Sequence, residues 1–293
     1  MSTSSPDPTV TLLLVAHEKE LYWTSRAEEA EACLVTLNPL TGEMHHIRLP
    51  RPPTKSLSTR VTKVGEKIYA AAEGFENQVV EVNLWTGATT SLPHKYRWLA
   101  ADGANHILGY KDDTMFSLDL ASGEEKEAPR LPLCSVILYS NSQYFIYEGI
   151  VDTTGEVPRY AVHCTDRVRQ TTWLIAKRPT FSTGAAIIGK DLWLTTWGTP
   201  GNRCVFSRYP LDESGRGTVE WSIEYAHYHY TVATVAPHFL LLVAFDQMMQ
   251  PGKQDLYLFD TTTSIGMYVD TTAIRALFKP ENGHLSASIV EEA

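Results

Sequence analysis

The run Tyr225-Ala226-His227-Tyr228-His229-Tyr230 sets two imidazoles two positions apart among three tyrosines. In an extended segment, alternation puts His227 and His229 on one side and the tyrosines on the other. Paired imidazoles suit three roles. They can face solvent from a loop, touch a ligand or act as acid and base near neutral pH, or ligate a metal. A metal would need a third ligand, for which Glu148, Asp246 and Glu73 are the nearest candidates. The catalytic set drawn from these residues is His227, His229, Tyr147 and Glu148. Neither a metal nor a cofactor is expected.

Other motifs fail on chemistry. Gly184-Ala185-Ala186-Ile187-Ile188-Gly189-Lys190-Asp191 approaches a phosphate-binding loop, but Asp191 stands where Ser or Thr must hold magnesium. Its middle is an apolar strand rather than a Gly-rich cradle. His17-Glu18 begins like a zinc-protease helix, yet position 21 is Leu. The Pro50-Arg51-Pro52-Pro53 stretch reads as a connecting loop. No G-x-S-x-G elbow, calcium loop or dinucleotide fingerprint occurs. Cys134 has no evident partner base, and the four cysteines show no CxxC spacing, as expected of isolated reduced thiols.

The chain must hold such residues in place with an ordinary globular composition, 43% apolar and 20% charged. A formal charge of −9 with no basic stripe argues against nucleic acid and anionic membrane as partners. The apolar run Val10 to Ala16 follows Asp7, lacks a basic segment before it, and is too short to span a bilayer. No Asn-x-Ser/Thr sequon occurs. These features make a cytoplasmic protein the expectation, with residues 1–8 a disordered lead-in and 9–293 a single domain.

A repeated phrase organises the chain. Leu37-Asn38-Pro39-Leu40-Thr41-Gly42-Glu43 returns as Val82-Asn83-Leu84-Trp85-Thr86-Gly87-Ala88 and as Leu118-Asp119-Leu120-Ala121-Ser122-Gly123-Glu124. Phe259-Asp260-Thr261-Thr262-Thr263-Ser264 is a fourth copy, a weaker one ends at Ser214-Gly215, and a degenerate one lies around Cys164 to Gln170. The physical content is a strand ending in Asn or Asp, whose side chain caps a turn, before Gly supplies a positive φ. Leu49-Pro50, Leu92-Pro93 and Leu131-Pro132 follow three copies and close an outer strand, where Pro is tolerated. Steps between copies average about 44 residues, within the range of propeller repeats.

Six short turns join pairs of apolar runs, as β-hairpins do. They lie at His17-Glu18-Lys19, Gly65-Glu66-Lys67, Gly103-Ala104-Asn105, Ser140-Asn141-Ser142, Gly189-Lys190-Asp191 and Ala236-Pro237-His238. Two hairpins per repeat make four antiparallel strands, or one blade. The fold expected is an all-β, six-bladed β-propeller, or seven-bladed if Leu285 to Glu292 belongs to a further, split blade. That final segment reads as a strand closing the ring beside the N-terminus. Only Thr271 to Leu277 is suited to a helical turn.

The strand-Asn/Asp-x-x-Thr/Ser-Gly turn followed by Leu-Pro resembles the repeats of kelch-type and quinoprotein-like propellers. It lacks the Gly-Gly doublet of strict kelch repeats and any Trp-Asp ending. The resemblance implies architecture, since fold does not fix function. In such propellers the second-to-third-strand loops and the inter-blade loops crowd one face. That face would carry Trp23, Thr24, Arg26, Glu73, Phe75, Tyr110, Tyr147, Glu148, Trp197, Phe245 and Asp246 from strand ends. Arg60, Tyr96, Trp98, Phe181 and His227 to His229 would come from between blades.

Aromatic walls with a few polar groups describe a ligand pocket. The ligand-binding set is Trp23, Arg60, Phe75, Trp98, Tyr110, Phe181, Trp197, Phe245 and Asp246. Rings of this kind also fill the wedges between blades. Two functions follow. One is binding of a mainly apolar organic small molecule, with any chemistry of a cofactor-independent cyclase, isomerase or cycloaddition type. The other is a kelch-like scaffold gripping a protein or peptide. A lectin is a weaker third, because the blades are too dissimilar for identical sugar sites.

Overall fold

A computed structural model describes residues 8–17, 31–49, 60–72, 78–96, 98–102, 105–112, 114–128, 136–152, 159–199, 203–212, 219–223, 230–244, 255–278 and 284–292. The chain opens with β1 (Val10–His17), β2 (Glu31–Leu37) and β3 (Met44–Leu49). A second group is β4 (Arg60–Val64), β5 (Lys67–Ala72), β6 (Gln78–Asn83) and β7 (Thr89–Lys95). A third is β8 (Trp98–Ala101), β9 (His106–Lys111), β10 (Thr114–Asp119) and β11 (Glu125–Glu127). Next come β12 (Val136–Ser140), β13 (Tyr144–Asp152), β14 (Arg159–Asp166) and β15 (Thr171–Arg178). The fifth group is β16 (Ser182–Ile188), β17 (Asp191–Thr199), β18 (Arg203–Pro210) and β19 (Val219–Ile223). The sixth is β20 (Tyr230–Ala236), β21 (Phe239–Ala244), β22 (Leu256–Asp260) and β23 (Ile265–Tyr268). A single turn of helix, α1 (Thr272–Arg275), precedes β24 (His284–Glu292).

Units two to six are antiparallel meanders in chain order. The first unit is assembled from both ends of the chain, in the order β24-β1-β2-β3. Neighbouring first strands touch in turn, β4 with β8, β8 with β12, β12 with β16 and β16 with β20. The ring closes where β21 meets β24 and β24 pairs with β4. The described strands thus make six four-stranded units of a β-propeller. The β24–β4 pairing is parallel, Ile289 opposite Arg60, and merges units one and two into an eight-stranded sheet.

The expected turn at His17-Glu18-Lys19 does not separate a first strand from a second. β1 is already the second strand of its unit, because β24 takes the inner place. The cause is visible in composition. Residues 12–16, Leu-Leu-Leu-Val-Ala, are all buried, so β1 needs a strand on each edge and a covered face on each side. The other five expected hairpin turns fall between first and second strands.

The repeated phrase forms the turn from third to fourth strand in every described copy. Asn38 Oδ1 accepts the amides of Leu40 and Thr41, Asn83 Oδ1 those of Trp85 and Thr86, and Asp119 Oδ1 those of Ala121 and Ser122. Asp166 and Asp260 do the same for Val168 and Arg169, and for Thr262 and Thr263. The Thr262 hydroxyl and amide hold the exposed Asp260 carboxyl down at about 2. Gly42, Gly87 and Gly123 take φ of 76°, 68° and 73°, and Gln170 and Ser264 accept 57° and 58° at the same place. Leu49 ends β3 as the Leu-Pro pattern predicts, whereas Leu92 and Pro93 lie inside the edge strand β7. Leu131 and Pro132 lie outside the described residues.

Hydroxyls staple the inner ring. First strands leave backbone oxygens on their open edge, and such groups need partners when buried. Ser140 Oγ donates to Ala101 O at 2.6 Å, Thr183 Oγ1 to Tyr230 O at 2.5 Å and Thr234 Oγ1 to Ile187 O at 2.9 Å. The seam between units five and six is filled by Trp193, Phe206, Trp221 and Phe259, with centroids 4.9 to 6.3 Å apart. The expected helical turn is α1, whose Thr271 and Arg275 side chains donate to the buried Asp255.

Candidate functional site

Polar and aromatic side chains gather at the upper end of the seam between units four and five, the end where first strands begin. Antiparallel pairing sets Ile150, Tyr160 and Arg178 in one cross-strand row of unit four, and Val136, Glu148, Val162 and Ala176 in another. Directly opposed residues share a face, so Tyr160 and Arg178 project together toward unit five. Unit five answers with Ser182, the first residue of β16, and from lower on its face with Ser207 and Tyr209 of β18, opposite Leu194 and Leu192. Phe181, in the connection between the units, lies edge-on to Tyr160 at 5.7 Å and 71°.

Glu148 is fully buried and reaches across the seam. The Ser182 amide donates to its two oxygens at 3.0 and 3.2 Å, and the Ser182 hydroxyl to Oε2 at 2.6 Å. Burial pushes the Glu148 carboxyl above the usual range, opposed by the Ser182 donors and the attraction of Arg178. Arg178 is 8% exposed. Its Nη2 meets Ser207 Oγ only at 3.5 Å, and Nη1 finds no acceptor. The guanidinium lies 5.8 Å from the Tyr209 ring centroid. Burial raises the Tyr209 phenol, with Arg178 opposing. The arrangement sets Tyr160 and Phe181 beside a buried cation with unused donor capacity, with Tyr209 on its other side and a carboxyl whose pKa burial raises.

Of the residues expected at a site, Glu148 and Phe181 meet here. Tyr147 neighbours Glu148 in sequence and therefore points to the opposite face. It is buried in the seam between units three and four, stacked 5.1 Å from His163. Tyr110 packs in that same seam. Tyr96 is buried between units two and three, its hydroxyl on Glu125 and its ring flat over Gly109, where any Cβ would lie 2.3 Å from ring atoms. The backbones of Arg60, Trp98 and Trp197 lie in β4, β8 and β17; their side chains lie outside the described residues. Trp23, Thr24, Arg26, Glu73, Phe75, His227, Tyr228, His229, Phe245 and Asp246 also lie outside them, as does Cys134.

Sequence reading missed Arg178, Ser182, Ser207, Tyr160 and Tyr209. One signal was available. Arg178-Pro179 stands at the outer-strand end where unit one has Leu49-Pro50, so a guanidinium replaces a buried leucine. Cys33, Cys164 and Cys204 are buried free thiols. Burial pushes Cys164 and Cys204 up to about 12, which leaves them poor nucleophiles. Among the described residues no three His, Cys, Asp or Glu side chains gather as a metal would need.

No protein-family model matches the sequence, and no curated protein matches it. Solved structures do. TolB from Acinetobacter baumannii is similar at a TM-score of 0.63 and 11% identity, over 96% of this chain and 67% of its own. Oligogalacturonate lyase from Vibrio parahaemolyticus aligns at a TM-score of 0.44 and 10% identity, over 89% of this chain and 85% of its own. The first likeness supports the β-propeller architecture and, at that identity, nothing about activity.

Proposed function

We propose that this propeller binds a mainly apolar organic small molecule at the upper end of the seam between units four and five. The observation that carries the reading is the buried Arg178 with Tyr160 in its cross-strand row, Phe181 edge-on to Tyr160, and the Tyr209 ring 5.8 Å from the guanidinium. Small-molecule sites combine apolar walls with a few placed polar groups in this way. Its enzymatic form is a cofactor-independent cyclisation, isomerisation or cycloaddition. Glu148 would supply the proton or hydrogen bond where charge develops, because burial favours its neutral form.

Native mass spectrometry of the protein exposed to a metabolite extract tests this. A discrete added mass is expected, lost on denaturation and from a Tyr160→Ala, Phe181→Ala double variant. A bare mass for the wild type, or an adduct unchanged in the double variant, would overturn the placement.

A scaffold is the second reading, favoured by a different surface. Leu40, Trp85 and Val168 hold the same position in the repeated turn and are 46%, 72% and 76% exposed. Apolar tips repeated along one end of the ring suit a protein partner. Substituting all three with Ser would abolish partner capture on this reading and leave small-molecule binding unchanged.

A further inference from the structure

We infer that Arg178 anchors a carboxylate, so that the ligand of the seam is an organic acid with an apolar body; this rests on the small-molecule reading above. Arg178 is the one buried arginine among the described residues. Arginines that bridge elements elsewhere find oxygen. Arg167 Nη1 meets Asp102 Oδ1 at 2.8 Å and Arg275 Nη2 meets Asp255 Oδ2 at 2.5 Å. Arg48 Nη2 donates to Leu277 O at 2.5 Å and Nη1 lies 3.4 Å from Glu31 Oε2. Arg178 has a single 3.5 Å contact and an Nη1 with no acceptor.

Among the described residues, neither acid beside Arg178 pairs with it. Both Glu148 oxygens take donors from Ser182, and no ion pair joins Glu148 to Arg178. Glu220 is reached only through Ser207, whose Oγ lies 3.5 Å from Glu220 Oε1. A guanidinium removed from water without a paired anion is costly, and its planar fork fits a carboxylate with two parallel bonds. The rings beside it fix the rest of the ligand. Tyr160, in register with Arg178, and Phe181 against it offer an apolar wall to whatever the carboxylate carries. Acetate tests the anchor alone, and benzoate tests anchor and wall together.

The unfolding midpoint is measured against rising acetate, benzoate and benzyl alcohol, with sodium chloride at matched ionic strength. Wild type, Arg178→Met, Arg178→Lys and Phe181→Ala are compared. Benzoate is expected to raise the wild-type midpoint more than acetate does, and chloride to do nothing comparable. Arg178→Met should weaken benzoate by roughly ten- to hundred-fold, the worth of a charged hydrogen bond. Arg178→Lys, which keeps the charge but loses the fork, should fall between, and it serves if the Met variant does not fold. Without ligand, Arg178→Met should be no less stable than wild type, since replacing an unpaired buried charge with apolar volume is neutral or favourable.

Benzyl alcohol acting as strongly as benzoate, with equal effect on Arg178→Met, would remove the anchor and leave the pocket standing. Acetate equalling benzoate, with Phe181→Ala silent, would keep the anchor and remove the apolar wall. Chloride matching the carboxylates, or no response to any probe, would overturn the anchor.

Discussion

Two seams among the described residues handle buried charge in opposite ways. Between units two and three, Glu125 receives Lys111 Nζ at 2.6 Å and the Tyr96 hydroxyl, and lies 3.5 Å from His94 Nδ1. Every group there has a partner, and the side chains of Glu125, Lys111 and His94 stay 18–33% exposed. Between units four and five, Glu148 and Arg178 are buried more deeply, do not pair, and leave a guanidinium nitrogen idle. The balanced seam is what structure alone requires. The unbalanced one keeps hydrogen-bonding capacity that folding does not use, and the proposed ligand site rests on that difference.

The two carboxyls should therefore differ when removed. Glu148→Ala strands the buried Ser182 amide and hydroxyl and opens a cavity, a loss of about 3 kcal/mol. Glu125→Ala removes a partner that water can replace in part, a loss of about 1 kcal/mol after screening. Denaturant unfolding of both variants measures the gap. Equal losses would erase the distinction between the seams.

The same carboxyls should respond to pH with opposite sign. Burial pushes Glu125 up, but the Lys111 and Tyr96 donors outweigh it and hold its carboxyl below the ordinary glutamate value. Its contribution is present above that ordinary value and is lost as pH falls through the lowered one. Glu148 is raised, so its contribution is present below the ordinary value and is lost as pH rises through the raised one. Relative to wild type, Glu125→Gln should become less stable as pH rises from acid to neutral, and Glu148→Gln more stable. Thermal unfolding across that range measures both slopes, and parallel slopes would refute the assignment of burial as the dominant force on Glu148.

Much of the ring was legible in the sequence, because the turn phrase is local chemistry. An Asn or Asp cap and a positive φ four residues later need no tertiary context, and all five described copies obey. The closing role of the last strand was legible from its apolar run. The inner place it takes was not, since Leu12 to Ala16 reads the same in any strand covered on both faces. Candidate residues fared differently, for a physical reason. Glu148 and Tyr147 are sequence neighbours, yet alternation sends them into different seams. Ser182 meets Glu148, and Ser207 and Tyr209 meet Arg178, only through the contact of two units, which no spacing along the chain encodes. The one local clue was Arg178 in the place of a buried leucine.

A turn far from both seams supplies the reference for these comparisons and the smallest expected effect. Ser264 holds φ 58° where Gly42, Gly87 and Gly123 hold 68° to 76°. A side chain in the left-handed region costs roughly 1–2 kcal/mol, partly offset by the extra freedom glycine has when unfolded. Ser264→Gly should therefore stabilise the protein by about 0.5 kcal/mol. Ser264 is in unit six, outside the two seams compared, so its gain should add to the losses of Glu148→Ala and Glu125→Ala within about 0.3 kcal/mol. Additivity in both double variants would show each seam to be a local device. A gain that vanishes only beside Glu148→Ala would mean that the clasp between units four and five governs the whole ring, and its buried carboxyl would then belong to the fold before it belongs to the site.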